Sequence, residues 1–300
     1  MSTPSAEQEG KAAAAKFRRD YGLGLQPLTD LVALIETSLD IDVAVLEVET
    51  NGGEHGLTMF DPKSEATFIG VAKTNHPMRQ RSTLAHELSH AIFCDWVDFQ
   101  QSVPVVREFR ETRADAFARH LLVPEDSLQW FLRARTAGQI SLSDLSSVVQ
   151  TFLVSPAIAS IALCSAGLIN TQTKTAWMAL RTPRLATQFG WLDQYRILQA
   201  DSSRTRAPQR LLTRSIRGYQ QGVVTVETVA SIRGLSASEV KDELDTAGIV
   251  PMVVELEIMS AEDLPDVQRG PLFLDALHAL DALDEPDDLE ERAGEQAAGA

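Results

Sequence analysis

The chain has 300 residues, room for two compact domains, and 44% of them are hydrophobic, which excludes wholesale disorder. Lys and Arg number 27 against 42 Asp and Glu, a formal net charge of −15 that argues against a protein gripping DNA chiefly through its phosphates. Two cysteines, Cys94 and Cys164, make no disulfide framework and suit a reducing compartment.

The N-terminal stretch mixes charges and has no apolar h-region, so no secretory signal is read there and a cytoplasmic location is expected. Ala6 to Tyr21 has helical character, and Leu28 to Leu39 repeats apolar residues at helical spacing. The period then shortens. Asp42 to Val48, Gly56 to Phe60 and Ala66 to Ala72 read as short strands, parted by turns at Asn51-Gly52-Gly53 and Asp61-Pro62. One helix is predicted over about Gln80 to Trp96 and another from about Val105 to Leu122, stopped by Val123-Pro124. Shorter helices fill Glu125 to Ile169. Leu145 to Thr173 carries no charge, yet its serines, Gln150, Thr151 and Pro156 make it too polar for a membrane span. It reads as two buried helices broken near Val154-Ser155-Pro156.

Beyond Asn170 the sequence loosens around Pro183 and Pro208. It carries a basic run, Arg204, Arg206, Arg210, Arg214 and Arg217, suited to nucleic acid, an acidic partner or the chain's own acidic tail. Val226 to Ile232 and Ala237 to Thr246, around Gly234, have helix-turn-helix proportions, with Ser236 and Glu239 spaced as a capping box. The second helix of that pair holds Glu239, Asp242, Glu243 and Asp245 against Lys241, so in a major groove it would meet phosphate repulsion. Between Asp275 and Glu295 nine acids face one base, and the last 20 or so residues are expected to be disordered. Helices with one small sheet in the first half define an α+β class.

The chemistry concentrates in His86-Glu87-Leu88-Ser89-His90. At about 100° per residue, His90 stands about 40° from His86 on a helix, so both imidazoles can reach one ion, with Glu87 about 100° around. Leu84, Ala85, Leu88, Ala91 and Ile92 form the apolar back of that helix. Two neutral imidazoles leave zinc electron-poor enough to acidify a water, and an adjacent carboxylate can carry its proton. A third ligand is then needed. On the second helix Glu111 and Asp115 lie one turn apart at the edge of the inward face, where a carboxylate needs a compensating partner. A metal would serve Glu111, and the N–H of a metal-bound histidine would serve Asp115 as its orienter. Pairing with Arg107 or Arg110, and Glu108 in place of Glu111, are the alternatives. Cys94 reads as a small buried thiol, His76 as a solvated loop residue near the cleft, and His120 as a surface residue facing away from Glu111. His55 and His278 have no supporting context.

HELSH, its lead-in RQRSTLA, the block ETRADAFARHLLVP from Glu111 and FLVSPAIASIALCSAGLI from Phe152 together resemble the ImmA/IrrE family of zincin-like metallo-endopeptidases. The likeness covers about Leu28 to Asn170, and Arg119-His120 departs from it where the family more often has a small residue and an acid. The resemblance implies zinc, with manganese possible, on His86, His90 and Glu111, and Glu87 as general base. It implies a zincin-like domain over residues 26–175, after an N-terminal helix in residues 1–25. A helical region with the helix-turn-helix-like hairpin over 176–255 and an acidic region over 256–300 complete the expected organisation. In that architecture a sheet-edge strand beside the metal helix holds extended substrate, and Phe68, Ile69, Gly70 and Val71 form the candidate strand, unless it is central. Family members commonly cleave a helix-turn-helix repressor, so the implied partner is an XRE-type repressor, with no membrane and no direct DNA contact. The rivals are an inert metal-binding regulator that sequesters a repressor, and DNA binding through residues 224–248.

Overall fold

Residues 5–48, 55–96, 104–133 and 139–252 are described by the computed structural model. The Asn51-Gly52-Gly53 turn, His278 and the acidic C-terminal region lie outside them. Helix α1 (Ala6–Asp20) opens with a reciprocal capping box between Ser5 and Gln8 and buries Ala14 and Phe17. It lies against α4 (Pro104–Leu122) at very short range. A Cβ added to Gly10 would fall 2.4 Å from the Arg113 carbonyl oxygen, so only glycine permits this approach.

Helix α2 (Leu31–Leu39), capped by Asp30, leads into β1 (Asp42–Leu46); β2 (Gly56–Asp61) and β3 (Ala66–Ala72) follow. The sheet order is β1-β3-β2, with β1 parallel and β2 antiparallel to β3. Helix α3 (Pro77–Phe93) lies on this sheet, with Leu84, Ala85, Leu88 and Ala91 buried and Ile92 exposed. Val43, Val45, Ile69 and Val71 share one core with these residues and with Ile35, Phe117 and Leu121. Each fully buried side chain of this size contributes roughly 1.5–3 kcal/mol. The core therefore fixes α3 and α4, and with them the polar faces they turn to one another.

Helices α5 (Glu125–Arg133), α6 (Leu142–Phe152) and α7 (Pro156–Ser165) continue the core, with α6 and α7 bent by 110° at the break. Leu153 in the left-handed region and Pro156 at the start of α7 make that break, where the serine-proline pair predicts it. No single helix among the described residues is long and apolar enough to cross a membrane.

After Asn170 the chain is mainly helical, as the sequence predicts. It forms α8 (Thr171–Met178), α9 (Thr182–Gln188), α10 (Leu192–Ser202) and α11 (Gln209–Gln220), and Pro183 and Pro208 start helices rather than interrupting them. The end of α10 is stitched to the β3–α3 loop, since the Ser202 carbonyl accepts from Thr74 N at 2.9 Å and Gln80 Nε2 at 2.9 Å. Two arginines of the basic run, Arg206 and Arg210, are used internally. Arg206 bridges Val45 by two backbone hydrogen bonds of 2.9 Å, covering the outer edge of β1. Its side chain pairs with the buried Glu36 carboxylate, which also accepts from the Gln209 N–H at the start of α11. Arg210 pairs with Asp40 and Asp42. Helices α12 (Val226–Arg233) and α13 (Ala237–Thr246) then form the hairpin, with the Ser236–Glu239 capping box in place and a small core of Tyr219, Val229, Ala230, Val240 and Leu244.

Candidate metal centre

The apolar back of α3 leaves His86 and His90 on its opposite side, and α4 presents Glu111 and Asp115 to them. His86 Nε2 and His90 Nε2 lie 3.1 Å apart, Glu111 Oε2 lies 3.1 Å from His86 Nε2, and Glu111 Oε1 lies 3.8 Å from His90 Nε2. A tetrahedron with bonds of about 2.1 Å has edges of about 3.4 Å, so these three donors fit one zinc-sized ion. Among the described residues they are the group whose donor atoms converge in this way, all within 4.8 Å of one another.

Each histidine turns its other nitrogen to a carboxylate. His86 Nδ1 is 2.8 Å from Asp115 Oδ1, and His90 Nδ1 is 2.8 Å from Asp95 Oδ2. That arrangement fixes the tautomer with the Nε2 lone pair toward the shared point. The site attracts positive charge. Burial opposes a cation at His86, but hydrogen bonds to Asp115 and Glu111 outweigh it and push the imidazole up to about 10. The same hydrogen bond, against burial, holds Glu111 below the ordinary carboxylate range. Burial raises Asp95, but hydrogen bonds from His90 and Arg113 bring it below that range as well.

Asp95 is the site residue that reading the sequence missed. It is not on the helix. Cys94 adopts the left-handed conformation (φ 53°), Cys94 N–H bonds to Ala91 O and Asp95 N–H to His90 O at 3.0 Å. This is a Schellman turn with cysteine where glycine is usual, and it swings Asp95 back beneath His90. Cys94 itself is exposed at the turn, not a buried thiol. His120 also differs from expectation: its Nε2 lies 2.9 Å from Glu7 Oε1, so α1 covers it. His76 is exposed at the start of α3, far along the helix from His90, whereas His55 lines the metal cleft. Arg110 pairs with Asp95.

Glu87 is almost fully buried, pressed between α3 and β2. Thr58 Oγ1 lies 2.7 Å from Glu87 Oε2 and 2.9 Å from the Glu87 carbonyl oxygen. A Cβ on Gly56 would sit 2.6 Å from Glu87 Oε1, so the carboxylate occupies space that only glycine leaves open.

The expectation that Phe68, Ile69, Gly70 and Val71 form a substrate-holding edge is overturned. Strand β3 is central, bonded to β1 on one side and β2 on the other, and Ile69 and Val71 are buried. Its backbone groups are already used. With β1 covered by Arg206, the open edge among the described residues belongs to β2. The bond from Ala72 N to His55 O sets the phase of the ladder, so the backbone groups of Gly56, Thr58 and Phe60 point away from β3. They border a cleft of about 1300 Å³ that also contains His86, Glu87, His90 and Glu111.

A three-stranded sheet, a helix bearing two histidines and a glutamate, and a third donor from the following helix define a metallopeptidase-type domain of zincin-like fold. Residues 37–162 match the family model of the IrrE N-terminal-like domain, Peptidase_M78. No curated protein matches the chain. Among solved structures, a Mycobacterium tuberculosis transcriptional regulator aligns over 51% of this chain at 17% identity with a TM-score of 0.35. The chain spans 46% of that regulator's length.

Proposed function

We propose that the protein is a zinc-dependent endopeptidase, with an XRE-type helix-turn-helix repressor as its substrate. The observation that carries this reading is the convergence of His86, His90 and Glu111 beside Glu87 at the open edge of β2. His86 and His90 would hold the ion through Nε2 and Glu111 through its carboxylate. The chemistry supplied by zinc in such a centre is acidification of a water molecule and polarisation of the scissile carbonyl.

The remaining steps belong to the chain. A substrate strand pairs with the outward backbone groups of Gly56, Thr58 and Phe60, which align it along the cleft. Glu87 takes the proton of the attacking water and delivers it to the leaving amine. Thr58 keeps the Glu87 carboxylate on the β2 side, where the substrate lies. Asp115 and Asp95 hold the two imidazoles in register. Cleavage of a repressor would relieve repression of mobile-element or stress-response genes. The acidic outer surface of α13 disfavours DNA as the partner of the hairpin, and recognition of the protein substrate is the role assigned to it.

The test is Glu87→Gln, assayed on the repressor by gel and on the metal by elemental analysis. Loss of cleavage with zinc retained at about one per chain supports the reading. Derepression that survives Glu87→Gln would replace it with sequestration of the repressor without hydrolysis.

A further inference from the structure

We propose that Asp95 is the positioning residue for His90 and that it is held from the N-terminal helix through Arg113 and Glu9, so that the metal affinity of the centre depends on α1. The inference rests on the metal reading of His86, His90 and Glu111 and is independent of peptidase chemistry.

Four groups form an unbroken chain. His90 Nδ1 is 2.8 Å from Asp95 Oδ2, and Asp95 Oδ1 accepts from Arg113 Nη2 at 2.6 Å. Arg113 Nη1 in turn donates to Glu9 Oε1 at 2.8 Å. The two histidines are held very differently. The Asp115 side chain behind His86 is 74% exposed, and water competes for it, whereas the Asp95 side chain behind His90 is 5% exposed. Charge-assisted hydrogen bonds are strongest where water is excluded.

The geometry also removes freedom from Asp95. With one oxygen on His90 and the other on Arg113, the carboxylate cannot rotate without breaking a bond. Arg113 is fixed in turn, with its guanidinium carbon 3.7 Å from the centre of the Phe93 ring and its far amine on Glu9. Glu9 reaches it because Gly10 lets α1 sit directly on the α4 backbone at Arg113. The residue that permits the helix contact and the residue that completes the chain are therefore neighbours in sequence. Loss of the Glu9 carboxylate releases one side of Arg113 and loosens Asp95 behind His90, while no group that touches His86, His90 or Glu111 is removed.

A purely structural role, in which the network only fastens α1 to α4, makes a different prediction, and Glu7 provides the comparison. Two residues from Glu9 on the same helix, it ties α1 to α4 through Arg119 and His120 and touches no part of the chain to His90. In the full-length protein, zinc affinity would be measured by competition with a chromophoric chelator for wild type, Asp95→Asn, Glu9→Gln and Glu7→Gln. The expected result is a loss of about 10- to 100-fold for Asp95→Asn, about 3- to 10-fold for Glu9→Gln, and no change for Glu7→Gln. The visible spectrum of the cobalt-loaded protein, recorded well below Tm, should shift in Asp95→Asn, because His90 then meets the ion differently. If Asp95→Asn fails to fold, the Glu9→Gln and Glu7→Gln pair still decides. Zinc affinity unchanged in Glu9→Gln, or reduced equally in Glu7→Gln, would overturn the proposal while leaving the metal site intact. A wild-type protein that binds no zinc would remove the metal reading itself.

Discussion

Thr58 Oγ1 lies 2.7 Å from Glu87 Oε2, joining the strand with the open edge to the helix that carries both histidines. The same strand leaves a hole at Gly56 into which the Glu87 carboxylate fits. An alanine Cβ at Gly56 would meet Glu87 Oε1 and Thr83 Cγ2, both at 2.6 Å, so it presses on side chains and not on backbone. Because Thr83 is β-branched and stiff, stability should fall by about 1–3 kcal/mol. Cleavage of the repressor should fall about 100-fold, the cost of a misplacement near 1 Å. Thr58→Val should lower kcat with zinc content unchanged, and Thr58→Ser should restore it. Equal rates in all three variants would show that β2 does not position Glu87.

On the proposed reading, zinc would bind the folded chain through His86, His90 and Glu111, which two helices bring together. At about 100 times its Kd it would contribute about 2.7 kcal/mol, which for a chain of this size raises Tm by roughly 4–5 °C. His86→Ala and Glu111→Gln should abolish most of this increment, measured by differential scanning calorimetry with and without zinc. An increment that persists in both variants would place the ion elsewhere.

Gly10 meets the Arg113 carbonyl oxygen and the Phe117 amide, both backbone atoms that cannot step aside. Gly10→Val should therefore destabilise by about 1–3 kcal/mol or more, read as a lowered midpoint in urea. A neutral result would mean that α1 and α4 can separate without cost.

The Glu7–His120 contact predicts a pH dependence. Burial depresses His120 below its ordinary value of 6.5, with the pull of Glu7 too weak to reverse it. The unfolded chain then binds more protons than the folded one below pH 6.5, and stability falls as pH drops through that value. Glu7, opposed by burial but hydrogen-bonded to Arg119 and His120, is held below its ordinary 4.5, so its contribution persists to lower pH and is lost only below that value. In His120→Gln the decline of Tm between pH 7 and 5 should be shallower than in wild type.

Much of the centre is legible before folding. His86, His90 and Glu87 share one helix, Glu111 and Asp115 another, and a helix converts sequence spacing into direction with no outside help. The reciprocal cap of Ser236 and Glu239, the β3 bounds and the break before Pro156 are equally local. The helical character after Asn170 is legible too, but the bounds of its helices are not. Prolines there start helices, and whether a proline starts or stops one depends on what its flanks pack against.

By itself the sequence determined which helices form, which faces they bury and which donors share a face, because helical periodicity acts over a few residues. Only the tertiary structure decided which strand keeps an open edge. Central and edge strands carry the same alternation, and the choice falls to β1 pairing in parallel with β3 and to Arg206 closing the far side. It also decided which carboxylate stands behind His90. Asp95 arrives there through a left-handed turn at Cys94, which a non-glycine residue adopts only at a cost of about 1 kcal/mol or more. The compensating contacts come from Arg113 and Glu9, 18 and 86 residues away in the chain. No local pattern records contacts over such distances.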